Sequence, residues 1–239
     1  MLPIFILAGG FGTRLGSITE KIPKILAPVG GKPFLQLQID WLIKNRMTNV
    51  TYCVGHLGDQ VSEYISTLNI PKWMRISFSH DGPIQLGTGG AILKAIQKIE
   101  GKFLITYGDS YLTADLLEIS EQFSASSQPA LMCVYKNSNN YDKSNVEFKD
   151  SQIIHYSKNN CGGDLHYIDY GILGFEKDFY SKLSENESFD LGSVIQSSIS
   201  SRGLLGIEVQ ERFYEIGSIK GISDLEAYIA KEIQTRGKQ

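Results

Sequence analysis

Apolar and polar positions along the chain follow two periods. Ile4–Leu7 is a short unbroken apolar run, as expected of a buried strand. Phe34–Lys44 places Phe34, Leu35, Leu37, Ile39, Leu42 and Ile43 at helical spacing. The same reading predicts strands over Val50–Val54, Arg75–Ser79 and Phe103–Tyr107. Helices are predicted over Gln60–Leu68, Gly90–Ile99 and Thr113–Phe123, the last capped by Thr113. Strands alternating with helices of this length imply βαβ units, so an α/β fold with a mainly parallel sheet. The second half changes character. Ala130–Tyr135, Val146–Phe148, Ile153–Tyr156 and Tyr167–Phe175 read as strands, with Asp150-Ser151 as a hairpin turn. Helices over Leu191–Ser200 and Ile219–Ile233 close the chain.

The first strand runs into Leu7-Ala8-Gly9-Gly10-Phe11-Gly12-Thr13-Arg14-Leu15, and Pro23-Lys24 follows. Glycines let backbone N–H groups approach an anion closely. Arg14 and Lys24 add two positive charges, which suits a nucleoside triphosphate. Commoner phosphate loops are excluded. A P-loop ends in Gly-Lys-Ser/Thr, but the chain has Gly31-Lys32-Pro33 and Gly101-Lys102-Phe103. The dinucleotide fingerprint requires a third glycine where Leu15 stands.

Composition narrows the picture further. The 239 residues fit one large α/β domain, with a nucleotide-binding half over about 1–112 and a second half over 113–239. A net charge of −3 gives no nucleic-acid footprint, so positive charge must be concentrated at the site. The three cysteines form neither a disulfide framework nor a zinc knuckle; Cys53 and Cys133 read as buried free thiols. No apolar stretch approaches the ~18 residues needed to span a bilayer. With no signal-type segment at the start, the expectation is a cytoplasmic protein without membrane or nucleic-acid partners.

Leu7 to Phe34 resembles the signature of the sugar-1-phosphate nucleotidyltransferases, Gly-Gly-x-Gly-Thr-Arg-Leu followed by Pro-Lys. The resemblance implies a Rossmann-like three-layer α/β/α fold with a mixed, mainly parallel sheet, the nucleotide-diphospho-sugar transferase fold. No hexapeptide repeat follows, so no left-handed β-helix is expected. Arg14 and Lys24 become catalytic, and Leu7, Ala8, Gly9, Gly10, Gly12 and Thr13 bind nucleotide. Gln85, Gly87, Thr88 and Gly89 would lie against the base, with Gly108 beside the nucleotide. The helix after this second glycine cluster would offer N–H groups to an anion. Asp109, just past the carboxyl end of a strand, and Glu215, where relatives often carry Asp, would hold Mg²⁺. Lys158, Asp169 and Gly171 would line the sugar-phosphate side, although Ser157 stands where relatives have an acid.

The resemblance extends to single-domain heptose-1-phosphate and mannose-1-phosphate guanylyltransferases. It implies GTP and D-glycero-D-manno-heptose 1-phosphate as substrates, in bacterial surface-glycan synthesis. Mannose-1-phosphate guanylyl transfer, uridylyl, thymidylyl or cytidylyl transfer to another phosphorylated acceptor, and a non-catalytic nucleotide-sugar-binding protein are the alternatives. A homodimer is compatible with either.

Overall fold

The computed structural model describes residues 1–10, 15–16, 19–157, 165–183, 188–201 and 203–236. The elements run β1 (Ile4–Leu7), β2 (Pro28–Val29), β3 (Lys32–Pro33), α1 (Phe34–Lys44), β4 (Asn49–Val54), α2 (Gly58–Ser66), β5 (Arg75–His80), α3 (Gly87–Ala95), β6 (Lys102–Tyr107), β7 (Ser110–Tyr111) and α4 (Leu116–Ala125). They continue as β8 (Ala130–Lys136), β9 (Val146–Lys149), β10 (Gln152–Tyr156), β11 (Tyr167–Glu176), α5 (Lys177–Lys182), α6 (Leu191–Ser200), β12 (Leu204–Val209), β13 (Tyr214–Glu215) and α7 (Ile219–Arg236).

A nine-stranded sheet, in the order β5-β4-β1-β6-β11-β8-β12-β10-β9, runs through both halves of the chain. The block β5-β4-β1-β6 is all parallel, as the alternating pattern predicts. The second half is not mainly parallel: β11 runs antiparallel to β6 and β8, β10 antiparallel to β12 and β9, and β12 alone pairs parallel with β8. Successive residues of β1 bury opposite faces. Ile4 and Ile6 join α1, α2, α4 and α7 in one core, and Phe5 joins α3, α5 and α6 in the other. Those are the two helical layers.

Local chemistry corrects several boundaries. The α4 cap is Asp115, whose carboxylate accepts from Leu117 N–H at 2.8 Å and Glu118 N–H at 3.2 Å. Thr113 instead bonds the Tyr170 hydroxyl and the Arg212 carbonyl. The Asp150-Ser151 hairpin forms as expected, with both residues at positive φ (51° and 57°) between paired Lys149 and Gln152. Cys53 and Cys133 are buried free thiols.

Candidate active site

Parallel strands place their carboxyl ends along one edge of the sheet, and ligands of open α/β sheets bind there. At that edge the turn after β1 and the turn after β6 meet. Gly108 N–H donates to the Leu7 carbonyl at 2.9 Å, and a side chain at Gly108 would come within 2.8 Å of that oxygen. Only glycine allows this approach. On the other flank Ala8 N–H donates to Cys53 O at 2.8 Å, and Gly9 passes close to Gly55 of the turn after β4.

A cleft of about 570 Å³ opens above these turns. It is lined by Leu7, Ala8, Gly9, Gly10, Lys24, Gln85, Gly87, Thr88, Gly108 and Asp109, all expected from the sequence. Ile25, Cys53, Asp81, Ala91, Tyr107 and Ser188 line it too, and the sequence did not single them out. Cys53, Asp81 and Tyr107 sit at the carboxyl ends of β4, β5 and β6, strands of one parallel block that are far apart in sequence. Their shared position at the carboxyl edge is the signal that finds them. Gly12, Thr13, Arg14 and Lys158 lie outside the described residues.

One end of the cleft is charged. Lys24 opens a 3-10 turn over Lys24–Leu26, entered through Pro23. Its Nζ lies 2.5 Å from Asp109 Oδ2. Glu215 is brought to the same place by a ribbon in which β13 pairs antiparallel with β7, Glu215 opposite Ser110. Ile216 N–H extends the ribbon to the Asp109 carbonyl at 2.9 Å. A side chain on Gly217 would strike the Glu215 carboxylate while lying 3.1 Å from Lys24 Nζ, so acid and ammonium share one small space. Glu215 also accepts from Gly217 N–H at 3.0 Å and from the Ser218 hydroxyl at 3.3 Å, which fixes its carboxylate at the start of α7. Among the described residues no group of three or more His, Cys, Asp or Glu could hold a metal. Two carboxylates are nevertheless a donor set that suits Mg²⁺, which keeps waters and takes its remaining ligands from phosphates.

The second glycine cluster plays a different part from the one expected. Helix α3 begins at Gly87, not Gly90. Two N–H groups of its first turn are taken inside the protein: Gly89 and Gly90 both donate to the Phe189 carbonyl, at 2.9 and 3.4 Å. A side chain at Gly89 would overlap the Phe189 ring, and the Gly89 carbonyl accepts from Tyr180 Oη at 2.9 Å. Gly89 therefore packs under Phe189 and does not line the cleft, and the N–H groups of Gly89 and Gly90 are not free for an anion. Thr88 Oγ1 accepts from Leu191 N–H at 2.9 Å and Ser188 Oγ donates to Gln85 O at 3.0 Å. The segment before α6 thus closes this wall of the cleft.

Asp169 and Gly171 lie on β11, next to β6, and do not line the cleft. Gly171 (φ 90°) sits at a register shift between Asp169 and Leu173, buried against Ser110 and Tyr107. It shapes the strand rather than offering a surface. Asp169 Oδ1 accepts from Gly171 N–H at 2.9 Å. Burial pushes the Asp169 carboxyl up to about 6 against that one stabilising bond. Burial, followed by Asp169, Tyr156 and Asp109, raises the Tyr107 hydroxyl well above its usual range.

The model of the family described as nucleotidyl transferase matches residues 4–156. The chain belongs to that family. The D-glycero-alpha-D-manno-heptose 1-phosphate guanylyltransferase of Aneurinibacillus thermoaerophilus is 30% identical over 193 residues, covering 77% of this chain and 80% of the relative. The enzyme of the same name from Campylobacter jejuni is 24% identical, covering 89% and 93%. The bifunctional protein GlmU of Methanocaldococcus jannaschii is 27% identical over 96% of this chain, which spans 55% of its length. HddC from Yersinia pseudotuberculosis, complexed with GMP-PN, superposes with a TM-score of 0.77 at 22% identity, covering 96% of this chain and all of that one. The inositol-1-phosphate CTP transferase of T. maritima gives 0.77 at 21%, covering 97% and 96%. The resemblance to sugar-1-phosphate nucleotidyltransferases, and their fold, is borne out. Among the described residues no helix is long and apolar enough to cross a membrane.

Proposed function

We propose that this nucleotidyltransferase transfers GMP from GTP to a heptose 1-phosphate of the D-glycero-D-manno type, giving a GDP-sugar and pyrophosphate for surface-glycan synthesis in the cytoplasm. The observation that carries the reaction type is the convergence of the turn after β1, Lys24 and Asp109 on one cleft, with the Glu215 carboxylate close to Lys24. The base and sugar rest on the two guanylyltransferase relatives that align over most of the chain.

In the reaction an oxygen of the sugar phosphate forms a bond to the α-phosphorus as the α–β anhydride breaks and pyrophosphate leaves. Both reactants are anions, so positioning and charge neutralisation dominate the barrier. The turn Ala8-Gly9-Gly10 would hold the triphosphate against the sheet edge, and Lys24 would stabilise charge on the reacting phosphates. Asp109 and Glu215 would hold Mg²⁺, which when bound neutralises and orients phosphate oxygens. Lys158 would contact the phosphate of the sugar-phosphate substrate, whereas Asp169, on β11, holds the Gly171 turn.

The test is pyrophosphate release from GTP, UTP, dTTP, CTP and ATP, each with heptose-, mannose-, glucose- and N-acetylglucosamine 1-phosphate and Mg²⁺. Strong release only with GTP and the heptose phosphate is the expected result. Release with another pair keeps the reaction and replaces the substrates. No release, with nucleotide still bound, assigns the chain to nucleotide binding alone.

A further inference from the structure

Among the described residues, Asp81 is the one acidic residue that lines the cleft besides Asp109. It follows β5 directly, and its N–H continues the parallel ladder by donating to Val54 O at 3.0 Å. Asp109 follows β6, three strands along the sheet edge. At about 4.8 Å per strand the two carboxylates stand roughly 14 Å apart, on the scale of a nucleotide's length. With phosphates at the Lys24–Asp109 end, the base falls at the Asp81 end. Three small residues, Gly87, Ala91 and Cys53, line the same cleft.

We infer that Asp81 selects guanine by accepting hydrogen bonds from its Watson–Crick edge. The inference rests on the nucleotidyl-transfer reading of the cleft. A carboxylate is acceptor-only, with two oxygens side by side. Guanine opposes it with two adjacent donors, N1–H and the N2 amino group. Adenine and cytosine each offer one amino group next to a ring-nitrogen lone pair, which a carboxylate repels. Uracil and thymine offer one N–H between two carbonyl oxygens. Burial raises the Asp81 carboxyl above its usual value, while the Leu86 N–H, Lys94 and His80 oppose that rise. Lys94 Nζ is itself held nearby, donating to Asp81 O at 3.2 Å. A desolvated carboxylate with one backbone donor gains most from a ligand that brings two more.

The competing role is structural, because accepting from Leu86 N–H closes the loop over residues 81–86. Asp81→Asn separates the two roles: it keeps an oxygen for Leu86 and turns a donor toward guanine. The experiment is calorimetric binding of GDP, IDP, ADP, UDP and CDP, with Mg²⁺, to the wild-type chain and to Asp81→Asn. Inosine has N1–H but lacks the N2 amino group. Wild type should bind GDP at least tenfold tighter than each of the others, within the ~1–3 kcal/mol that a good bidentate base contact contributes. Asp81→Asn should weaken GDP at least tenfold and cut the GDP-to-IDP ratio at least fivefold. Equal weakening of all five ligands would assign Asp81 to the loop and overturn the inference. So would an unchanged GDP affinity, or a wild-type preference for another base, and in those cases the cleft still binds nucleotide. Binding of none of the five would overturn the inference together with the reading beneath it.

Discussion

At the scale of single residues, the site is a negotiation among few charges. Lys24 and Asp109 pair at 2.5 Å beside Glu215, in a partly exposed setting. Exposed ion pairs contribute ~0–1 kcal/mol, so Lys24→Met should shift unfolding by about 1 kcal/mol or less. Its catalytic effect should be far larger, a roughly 10²–10³-fold fall in turnover, as for loss of one preorganised charge donor. With the ammonium gone, two carboxylates face each other uncompensated. The variant should therefore bind Mn²⁺ without nucleotide more tightly than wild type, measured by calorimetry. Equal Mn²⁺ affinity would show that Lys24 does not share the space of the metal. Asp169 behaves oppositely. Its carboxyl is pushed up to about 6, so the folded chain holds that proton at a pH where the unfolded chain has released it. Stability on this account is greatest below about pH 4 and falls as pH rises through about 6. At pH 8 the full cost remains, on the order of 3 kcal/mol. Asp169→Asn keeps the oxygen that accepts from Gly171 N–H and removes the charge. It should melt higher than wild type at pH 8 and near it at pH 4. Melting curves that differ equally at both pH values would point away from this carboxyl. At this scale Lys24 and Asp109 were legible because each sits in a short motif of fixed spacing. Asp81 and Tyr107 carry no motif, and only strand order brings them to the cleft.

At the scale of elements, what the sequence hides is packing between segments far apart in the chain. The strand Leu204–Val209 contains Gly206, a residue that weakens a strand pattern in the sequence. In the fold a side chain at Gly206 would come within 2.5 Å of the Phe148 ring, so the glycine admits a neighbouring aromatic. Helix α5 has six residues, too few for a period to show. The cluster Gly87-Thr88-Gly89-Gly90 follows the same logic. Phe189 lies where side chains at Gly87 and Gly89 would stand, and its carbonyl takes the first N–H groups of α3. Gly89→Ala should therefore act as overpacking, costing about 1–3 kcal/mol in chemical denaturation. Pairing it with Phe189→Leu, which trims the ring, should recover part of that loss. An additive double variant would separate Gly89 from Phe189.

At the scale of the whole molecule, the charged end of the cleft depends on the last helix. Residues 24, 109 and 215 meet only because the ribbon of β7 and β13 ties the Asp109 turn to the start of α7. That ribbon is braced from outside. Tyr228 of α7 stacks on Tyr214 of β13 at 4.6 Å and 27°, and meets Tyr111 of β7 at 6.2 Å. The same helix reaches the hairpin of β2 and β3, where Glu226 Oε1 accepts from Gly30 N–H at 2.8 Å. Helix α7 thus connects the Asp109–Glu215 pair to the segment that follows Lys24. Tyr228→Ala removes one aromatic brace, with a stability loss of roughly 1–3 kcal/mol for its ring pairs and burial. The consequence at the cleft should exceed that of a remote loss. If Tyr228 acts by holding Glu215, then Glu215→Gln and Tyr228→Ala report on one interaction. Turnover in the double variant should fall no further than in Glu215→Gln alone, a coupling of at least 1 kcal/mol by double-mutant cycle. A cycle that closes additively would mean that the brace serves stability alone and that the ribbon keeps its geometry without it.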